Sequence, residues 1–232
     1  MGTLPRSSSP SRGEREWLAA LWIAPLGGML IMACGPFCNL EMLAEFGSVS
    51  GMEMDETARM LTAKSTGERF DIRAGRCPDD LPFDSERFDL ICFFDCLEHI
   101  ADDVGSLARM REVLAPGGKI VVTVPAYQWL WSAHDVYLHH HRRYGRTALA
   151  ACADEAGYRI ERMTYFNTLL LPLAIAVRFI DRLLKHDRSS GDATPTGALN
   201  MLFYRIFSAE RHWVSHGALP CGVSLLAVLT AK

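Results

Sequence analysis

Short, nearly continuous apolar runs recur along the chain and alternate with longer segments in which apolar residues return every three or four positions. The first kind of segment predicts buried strands, and the second predicts helices. The predicted strands are 29–34, 48–53, 69–74, 88–94, 119–124, 158–165 and 222–231. The predicted helices are 39–46, 55–64 with Asp55 as the N-cap, 103–114 and 147–156. Because helical connections join parallel strands, this order predicts an α/β domain with a sheet covered on both faces.

The beginning of the chain allows two interpretations. Residues 1–13 are rich in Ser, Pro and Arg, and we expect them to form a disordered tail. Residues 17–34 carry no charge and follow three arginines, which is the arrangement of a signal or a membrane anchor. Pro25 and the Gly27-Gly28 pair interrupt this run, which favours a short helix at 14–22, a turn and a buried strand.

Residues 14–232 are predicted to form a single domain with a helical insertion at 168–219 before the last strand. The insertion is longer than an ordinary connection between strands. It contains two predicted amphipathic helices, 168–185 and 198–217, on either side of a polar loop. They form either a packed cover over the edge of the sheet or a surface that enters a membrane interface, and the packed cover is favoured.

Charge and cysteine content limit the function further. The formal net charge of -3 gives no field that draws the protein onto nucleic acid, so we expect no nucleic-acid partner. Most of the seven cysteines lie in apolar runs, as expected for reduced thiols of a cytoplasmic protein. The pairs Cys34/Cys38 and Cys92/Cys96 have no nearby His or Cys that completes a zinc set, so no metal site is predicted. Peripheral membrane contact through 168–217 is the alternative to a purely cytoplasmic location.

The segment 88–144 carries the most informative motifs. Phe88-Asp89 opens an apolar strand, Asp95-Cys96-Leu97-Glu98-His99 follows it, a helix ends in Leu114-Ala115-Pro116-Gly117-Gly118, and a second strand ends in Pro125. This arrangement resembles the class I S-adenosylmethionine-dependent methyltransferases of the methyltransferase 11 type, clearly over 28–166 and more loosely over 219–232.

The resemblance implies a fold and a reaction. The fold is a Rossmann-like, doubly wound sheet of seven strands, in which six are parallel and the last is antiparallel beside the sixth. The reaction is methyl transfer from S-adenosylmethionine to a small-molecule or lipid-linked acceptor. The sequence carries no signal of the oligomeric state.

By the same resemblance, the cofactor lies against the ends of the first two strands. Glu53 ends the second strand and is predicted to accept hydrogen bonds from the ribose hydroxyls, and Met54 follows it at the same site. Ala33, Cys34 and Gly35 form the turn after the first strand and are predicted to approach the cofactor.

This turn departs from the family pattern. The family has a sequence similar to LDVGCGTG, whereas residues 30–37 read LIMACGPF. Ala33 and Phe37 therefore place side chains where the family has glycine. Either the cofactor is bound in an altered way, or the chain is a non-catalytic relative that acts as a binding or scaffold protein. A different nucleotide-using enzyme is disfavoured because the sequence has neither G-x-G-x-x-G nor a P-loop motif.

The residues after the fourth strand are predicted to form the methyl-donor pocket. By the resemblance, Asp95, Cys96 and Leu97 line this pocket, and Glu98 and His99 follow on the same turn. A histidine beside a carboxylate acts either as a general base or as a hydrogen-bonding anchor of the loop, and the sequence leaves both roles open for His99.

The loop 132–144 holds four of the eight histidines and is the predicted acceptor-binding face. It is similar to a pattern in related methyltransferases, SAHD followed by a spacer and H-x-RRY. That pattern implies a proton-accepting role for His140 and acceptor binding by His134, Arg142, Arg143 and Tyr144. Arginine suits paired bonds to phosphate or carboxylate, so an anionic acceptor is expected. The alternative is a solvated helix entry with no substrate role.

Overall fold

The protein is described from a computed structural model over residues 27–32, 39–83, 85–184, 209–210, 213–214 and 217–232. The predicted tail 1–13, the predicted helix 14–22 and most of the second insertion helix, 198–217, lie outside the described residues. The same holds for Ala33, Cys34 and Gly35. These expectations therefore stay predictions.

The described residues contain a seven-stranded sheet with the strand order β3-β2-β1-β4-β5-β7-β6. The strands are β1 (Gly28–Met32), β2 (Ser48–Glu53), β3 (Asp71–Ala74), β4 (Phe88–Phe94), β5 (Leu114–Pro125), β6 (Tyr158–Phe166) and β7 (Ser224–Ala231). β7 pairs antiparallel with both β5 and β6, and the described pairings among β1 to β5 are parallel. The predicted Rossmann-like sheet with an antiparallel last strand is thus confirmed.

Six helices accompany the strands in the described part of the chain. They are α1 (Leu40–Leu43), α2 (Glu56–Thr66), α3 (Asp103–Arg109), α4 (Ala133–Tyr137), α5 (Arg146–Glu155) and α6 (Leu171–Leu184). The predicted N-cap of α2 is present, because Oδ1 of Asp55 accepts a hydrogen bond from the amide of Ala58 at 2.7 Å. α2 ends at Gly67, whose φ of 65° is left-handed.

The start of β5 differs from the prediction. The strand was expected at 119–124 after a Pro-Gly-Gly turn, but it begins at Leu114, where it pairs with Phe88. The register between β4 and β5 then shifts, and Gly117 adopts a φ of 78°. The predicted turn is therefore an irregularity inside the strand. The prediction missed it because the local sequence does not show that β4 pairs with residues on both sides of the turn.

The helix predicted at 103–114 is also shorter than expected. α3 ends at Arg109, and the chain continues as a 3-10 turn over Met110–Glu112. The early end follows from the start of β5, since the chain must leave the helix to pair with β4.

Both faces of the sheet are covered by hydrophobic cores, which explains the continuous apolar runs. Leu30 and Met32 of β1 point into one core, together with Leu107 of α3. Met29 and Ile31 point into the other. With both faces buried, the strand ends are the part of the sheet that can receive a ligand.

Membrane-spanning elements were searched for in the described residues. No helix there combines the length and the apolar character that crossing a membrane requires. The first part of the uncharged run, 17–26, lies outside that search.

Gly67 offers a direct test of the turn after α2. A Cβ at Gly67 would meet no atom within 4 Å, so Gly67→Ala introduces left-handed backbone strain without a clash. We expect the free energy of unfolding to fall by about 1 kcal/mol in urea titrations. Gly67→Asn should lose less, because asparagine tolerates this conformation better. Equal losses for both variants would contradict the explanation.

Candidate active site

The carboxyl ends of the central parallel strands meet at one edge of the sheet. Met32, the last residue of β1, pairs with Met52 of β2 and with Phe93 of β4. Phe93 in turn pairs with Val122 of β5. The end of β2 and the turn after β4 therefore flank the end of β1, which is where parallel sheets bind small ligands.

Glu53 is held at this edge by backbone contacts. Its side chain is 8% exposed, and Oε1 accepts a hydrogen bond from the amide of Asp55 at 2.9 Å. Its carbonyl oxygen accepts a second hydrogen bond, from the guanidinium of Arg59 at 2.9 Å. Met54, the next residue, is 67% exposed. The structure thus provides a fixed carboxylate followed by an exposed apolar side chain.

The turn after β4 adopts an uncommon backbone conformation. Asp95 has a φ of 46°, which is rare for a residue other than glycine. Its amide donates to both the carbonyl oxygen and Oγ1 of Thr123, at 3.0 and 3.1 Å. β5 therefore holds the turn in place. Such over-determined positions occur often at ligand-binding sites.

Acidic groups converge on the buried thiol of Cys96. Burial raises the pKa of Cys96 well above its usual value, and the nearby groups Glu98, Cys77, Glu53 and Asp95 raise it further. Both predicted cofactor-binding carboxylates, Glu53 and Asp95, thus contribute to the raised pKa of Cys96. The side chain of Leu97 is fully buried in the core.

A cluster of Glu98, His99 and His140 lies beside this turn. One carboxylate oxygen of Glu98 and one ring nitrogen of each histidine all lie within 4.8 Å of one another. The two rings meet edge to face, with centroids 4.6 Å apart. Burial raises the pKa of Glu98 to about 8 and lowers the pKa of His99. The predicted catalytic residues His140 and His99 are therefore neighbours, although 41 residues separate them in the sequence.

Asp135 fixes the orientation of His140. This buried carboxylate accepts hydrogen bonds from the amide and hydroxyl of Ser132, from Nδ1 of His140 at 3.0 Å and from Nε of Arg143 at 2.6 Å. Burial acts to raise the pKa of Asp135, but Arg143 and His140 outweigh it and hold the pKa below its usual value. With Nδ1 bound to Asp135, Nε2 is the ring nitrogen of His140 that remains for the cluster.

The predicted acceptor-binding residues of the loop are placed differently from one another. Arg143 is engaged with Asp135 and with the carbonyl oxygen of Ala126. Tyr144 is buried, and His134 is half-buried within α4. Direct contact of these residues with an acceptor stays a prediction.

Asp103 of α3 ties the end of the loop to the domain. It accepts a hydrogen bond from the hydroxyl of Tyr144 at 2.7 Å and forms an ion pair with Arg142 at 2.6 Å. The guanidinium of Arg142 also donates to the carbonyl oxygen of Ala101. Burial acts to raise the pKa of Asp103, but these hydrogen bonds outweigh it, and the pKa lies below its usual value.

Sequence reasoning did not select Glu98 or Asp135 as site residues. Each stands directly before or after a histidine, at Glu98-His99 and His134-Asp135. An acid next to a histidine was the signal in the sequence that could have identified Glu98 and Asp135 as site residues. The sequence did not show that both acids are buried. In a buried site, the hydrogen-bond partners of a carboxylate decide whether it is stabilised or left unsatisfied.

Asp103→Asn tests the network at the end of the loop. We expect the free energy of unfolding at pH 7 to fall by about 1–2 kcal/mol, because the variant cannot ionise to hold Tyr144 and Arg142. Since the folded-state pKa is depressed, this stabilisation is present above the unfolded-state pKa of about 3.9 and is lost as the pH falls through the folded-state pKa. Urea titrations should therefore show the two proteins converging below a pH of about 4. A difference independent of pH would mean that packing, and not charge, is responsible.

Comparison with known proteins matches part of the chain to one family. Residues 30–122 match the family model described as a methyltransferase domain. The match runs from β1 into β5, so it includes Glu53 and the turn after β4. The loop 132–144 lies beyond it.

Two curated relatives share part of the chain. The chain is 33% identical over 110 residues to a demethylmenaquinone methyltransferase of Mycobacterium sp. (strain KMS), which covers 47% of this chain and 46% of the relative. It is 32% identical over 97 residues to a ubiquinone biosynthesis O-methyltransferase of Cereibacter sphaeroides, which covers 40% of this chain and 39% of the relative. The matches thus span about half of the length of the curated relatives, and at most 64% of it among the first of them.

A solved structure shares the fold over nearly the whole chain. The crystal structure of a TehB-like SAM-dependent methyltransferase from Corynebacterium glutamicum superimposes with a TM-score of 0.58 and 18% identity. The superposition covers 95% of this chain and 88% of that chain. At this level of identity, the likeness establishes the fold.

Proposed function

We propose that this chain, which belongs to the class I S-adenosylmethionine-dependent methyltransferases, transfers the methyl group of S-adenosylmethionine to a small-molecule or lipid-linked acceptor. The observation that carries the proposal is the fixed carboxylate of Glu53 at the end of β2, across the end of β1 from the turn that follows β4.

The described residues fit the cofactor. A carboxylate at the end of the second strand is suited to accept hydrogen bonds from ribose hydroxyls. Glu53 is oriented for this by its bond to the amide of Asp55, and Met54 offers exposed apolar surface next to it. We propose that Asp95, Cys96 and Leu97 complete the pocket through the turn that Thr123 holds. The proposed contacts of Ala33, Cys34 and Gly35 lie outside the described residues.

S-adenosylmethionine, when bound, supplies a methyl group on an already activated leaving group. The work left to the chain is to align donor and acceptor and to assist the loss of a proton from the acceptor. We propose His140 and His99 as the catalytic residues on the acceptor side. Support comes from their contact with each other beside Asp95 and from the bond that orients His140 toward the cluster.

The acceptor that we propose to test first is a hydroxylated aromatic ring of the quinone type. Two relatives are named for demethylmenaquinone and for ubiquinone biosynthesis. We further propose that His134 contacts this acceptor, whereas Arg142, Arg143 and Tyr144 serve the site by holding the loop.

Contact of the insertion with a membrane or with an apolar acceptor is also a proposal. α6 exposes several large apolar side chains, namely Leu173, Ile175, Val177, Phe179 and Ile180. Such a face suits either an apolar ligand or the surface of a bilayer.

Glu53→Gln tests the cofactor site. The amide oxygen still accepts the Asp55 amide, but the charge that the ribose hydroxyls meet is lost. We expect the affinity for S-adenosylhomocysteine, measured by calorimetry, to fall at least about tenfold, which corresponds to about 1.4 kcal/mol. Glu56→Gln is the matched control, since Glu56 is exposed three residues further along.

An unchanged affinity in Glu53→Gln would remove this residue from the site. If the unaltered protein gives no heat and no thermal shift with millimolar S-adenosylhomocysteine, the alternative of a non-catalytic binding or scaffold protein would replace the proposed function.

His140→Ala tests the acceptor side. In assays of methyl transfer to hydroxylated quinones, we expect kcat to fall by about a factor of 100 or more. The affinity for S-adenosylhomocysteine should stay unchanged, because His140 is assigned to the acceptor. Equal losses in kcat and in cofactor affinity would contradict that assignment.

A further inference from the structure

Glu98, His99 and His140 bring three donor atoms of metal-binding type together. Glu98 and His99 belong to the 3-10 turn after β4, and His140 follows α4 in the loop 132–144. The loop is fixed against the turn, because the amide of His141 donates to the carbonyl oxygen of Glu98 at 2.8 Å. The three donors lie within 4.8 Å of one another, so small side-chain rotations would bring all of them to the roughly 2.0–2.2 Å from one ion that zinc requires.

One carboxylate oxygen of Glu98 lacks a hydrogen-bond partner among the described residues. The side chain is 1% exposed, and Oε2 accepts no hydrogen bond there. An unsatisfied buried oxygen is costly, and native proteins usually satisfy such an atom with water, a ligand or an ion. This oxygen belongs to the residue whose carboxylate faces the two histidine rings. It therefore points independently to a ligand.

The ring of His140 has one nitrogen occupied by the protein. Nδ1 of His140 bonds to the buried carboxylate of Asp135 at 3.0 Å. Metal-binding histidines characteristically use their second nitrogen in this way, which fixes the tautomer and the orientation of the ring. The arrangement leaves Nε2 of His140 for the cluster.

We propose that Glu98, His99 and His140 bind a divalent transition-metal ion, with Asp135 as the positioning residue. Two histidines and one carboxylate form a donor set that suits Zn²⁺ and Fe²⁺ and leaves open coordination positions. The prediction of no metal site was argued from the cysteine pairs, and no ligand set was assigned to the histidines. Here the donors come from two separate segments.

The role of the ion, unlike its binding, rests on the proposed function. When bound, such an ion would lower the pKa of an acceptor hydroxyl at an open coordination position and so ease the loss of its proton to solvent. His99 and His140 then assist the acceptor by holding the ion.

Metal titration of the full, untagged chain tests the inference. After treatment with EDTA and dialysis, the protein should bind one equivalent of Zn²⁺ in calorimetry, and Co²⁺ should give the visible absorption of a nitrogen- and oxygen-coordinated ion. Glu98→Gln and His140→Ala should each weaken Zn²⁺ binding at least about a hundredfold, and Asp135→Asn about tenfold to a hundredfold. Circular dichroism and urea titration should show that these variants remain folded.

The exposed histidines of the same run provide the matched control. His139→Asn combined with His141→Asn removes two exposed rings, and asparagine suits the left-handed φ of 57° at His139. This variant should keep the Zn²⁺ affinity of the unaltered chain. Loss of binding in this control, with binding retained in Glu98→Gln, would mean adventitious binding to exposed histidines and would overturn the inference.

Calorimetry with S-adenosylhomocysteine on the metal-free protein separates the two proposals. If this ligand binds and Zn²⁺ does not, the metal site is refuted and the proposed methyl transfer stands. If Zn²⁺ binds with the predicted variant pattern and S-adenosylhomocysteine does not, the metal site stands without the proposed reaction.

Discussion

The hydrogen bonds of the buried Asp135 carboxylate are the interactions on which the proposed acceptor side depends. The carboxylate joins the start of α4, the ring of His140 and the guanidinium of Arg143 through hydrogen bonds of 2.6 to 3.0 Å. A buried ion pair contributes little net stability compared with a hydrophobic replacement, but removing one partner leaves an uncompensated charge and is strongly destabilising. The main effect of Asp135 is to specify one conformation of the polar loop 132–144. The orientation of His140 follows from that conformation.

Asp135 and Glu98 show how differently two buried carboxylates can be used. Hydrogen bonds satisfy Asp135 and keep its pKa below the usual value, so it remains an anion that orients its neighbours. Glu98 has an oxygen without a partner among the described residues, and burial raises its pKa. A satisfied group serves structure, whereas an unsatisfied group in a cluster of donors is available to a ligand. The contrast explains why one acid positions the site and the other belongs to its binding surface.

The sequence predicted those features that depend on local pattern. β2 and β4 have the predicted limits because their apolar runs are bounded by polar residues, and Asp55 caps α2 because its side chain reaches the next turn. The predicted start of β5 was wrong, because the true start depends on pairing with β4 across a bulge. Glu53 and Asp95 were located from their positions at strand ends. The partners of Arg142 and Arg143 were not predicted, because a sequence shows which side chains are charged and not which charges the fold brings together.

The limit of the matched family region divides the site into two parts. Residues 30–122 include Glu53 and the turn that carries Glu98 and His99, and therefore the frame expected to hold the cofactor. His140 and Asp135 lie beyond that region, in a loop whose shape depends on contacts within the domain, such as Tyr144 with Asp103. The three-residue cluster crosses the boundary, with two donors on the shared frame and one on the loop. The acceptor chemistry can therefore differ from that of the relatives even where the cofactor frame is the same, because the loop alone decides whether the third donor is in place.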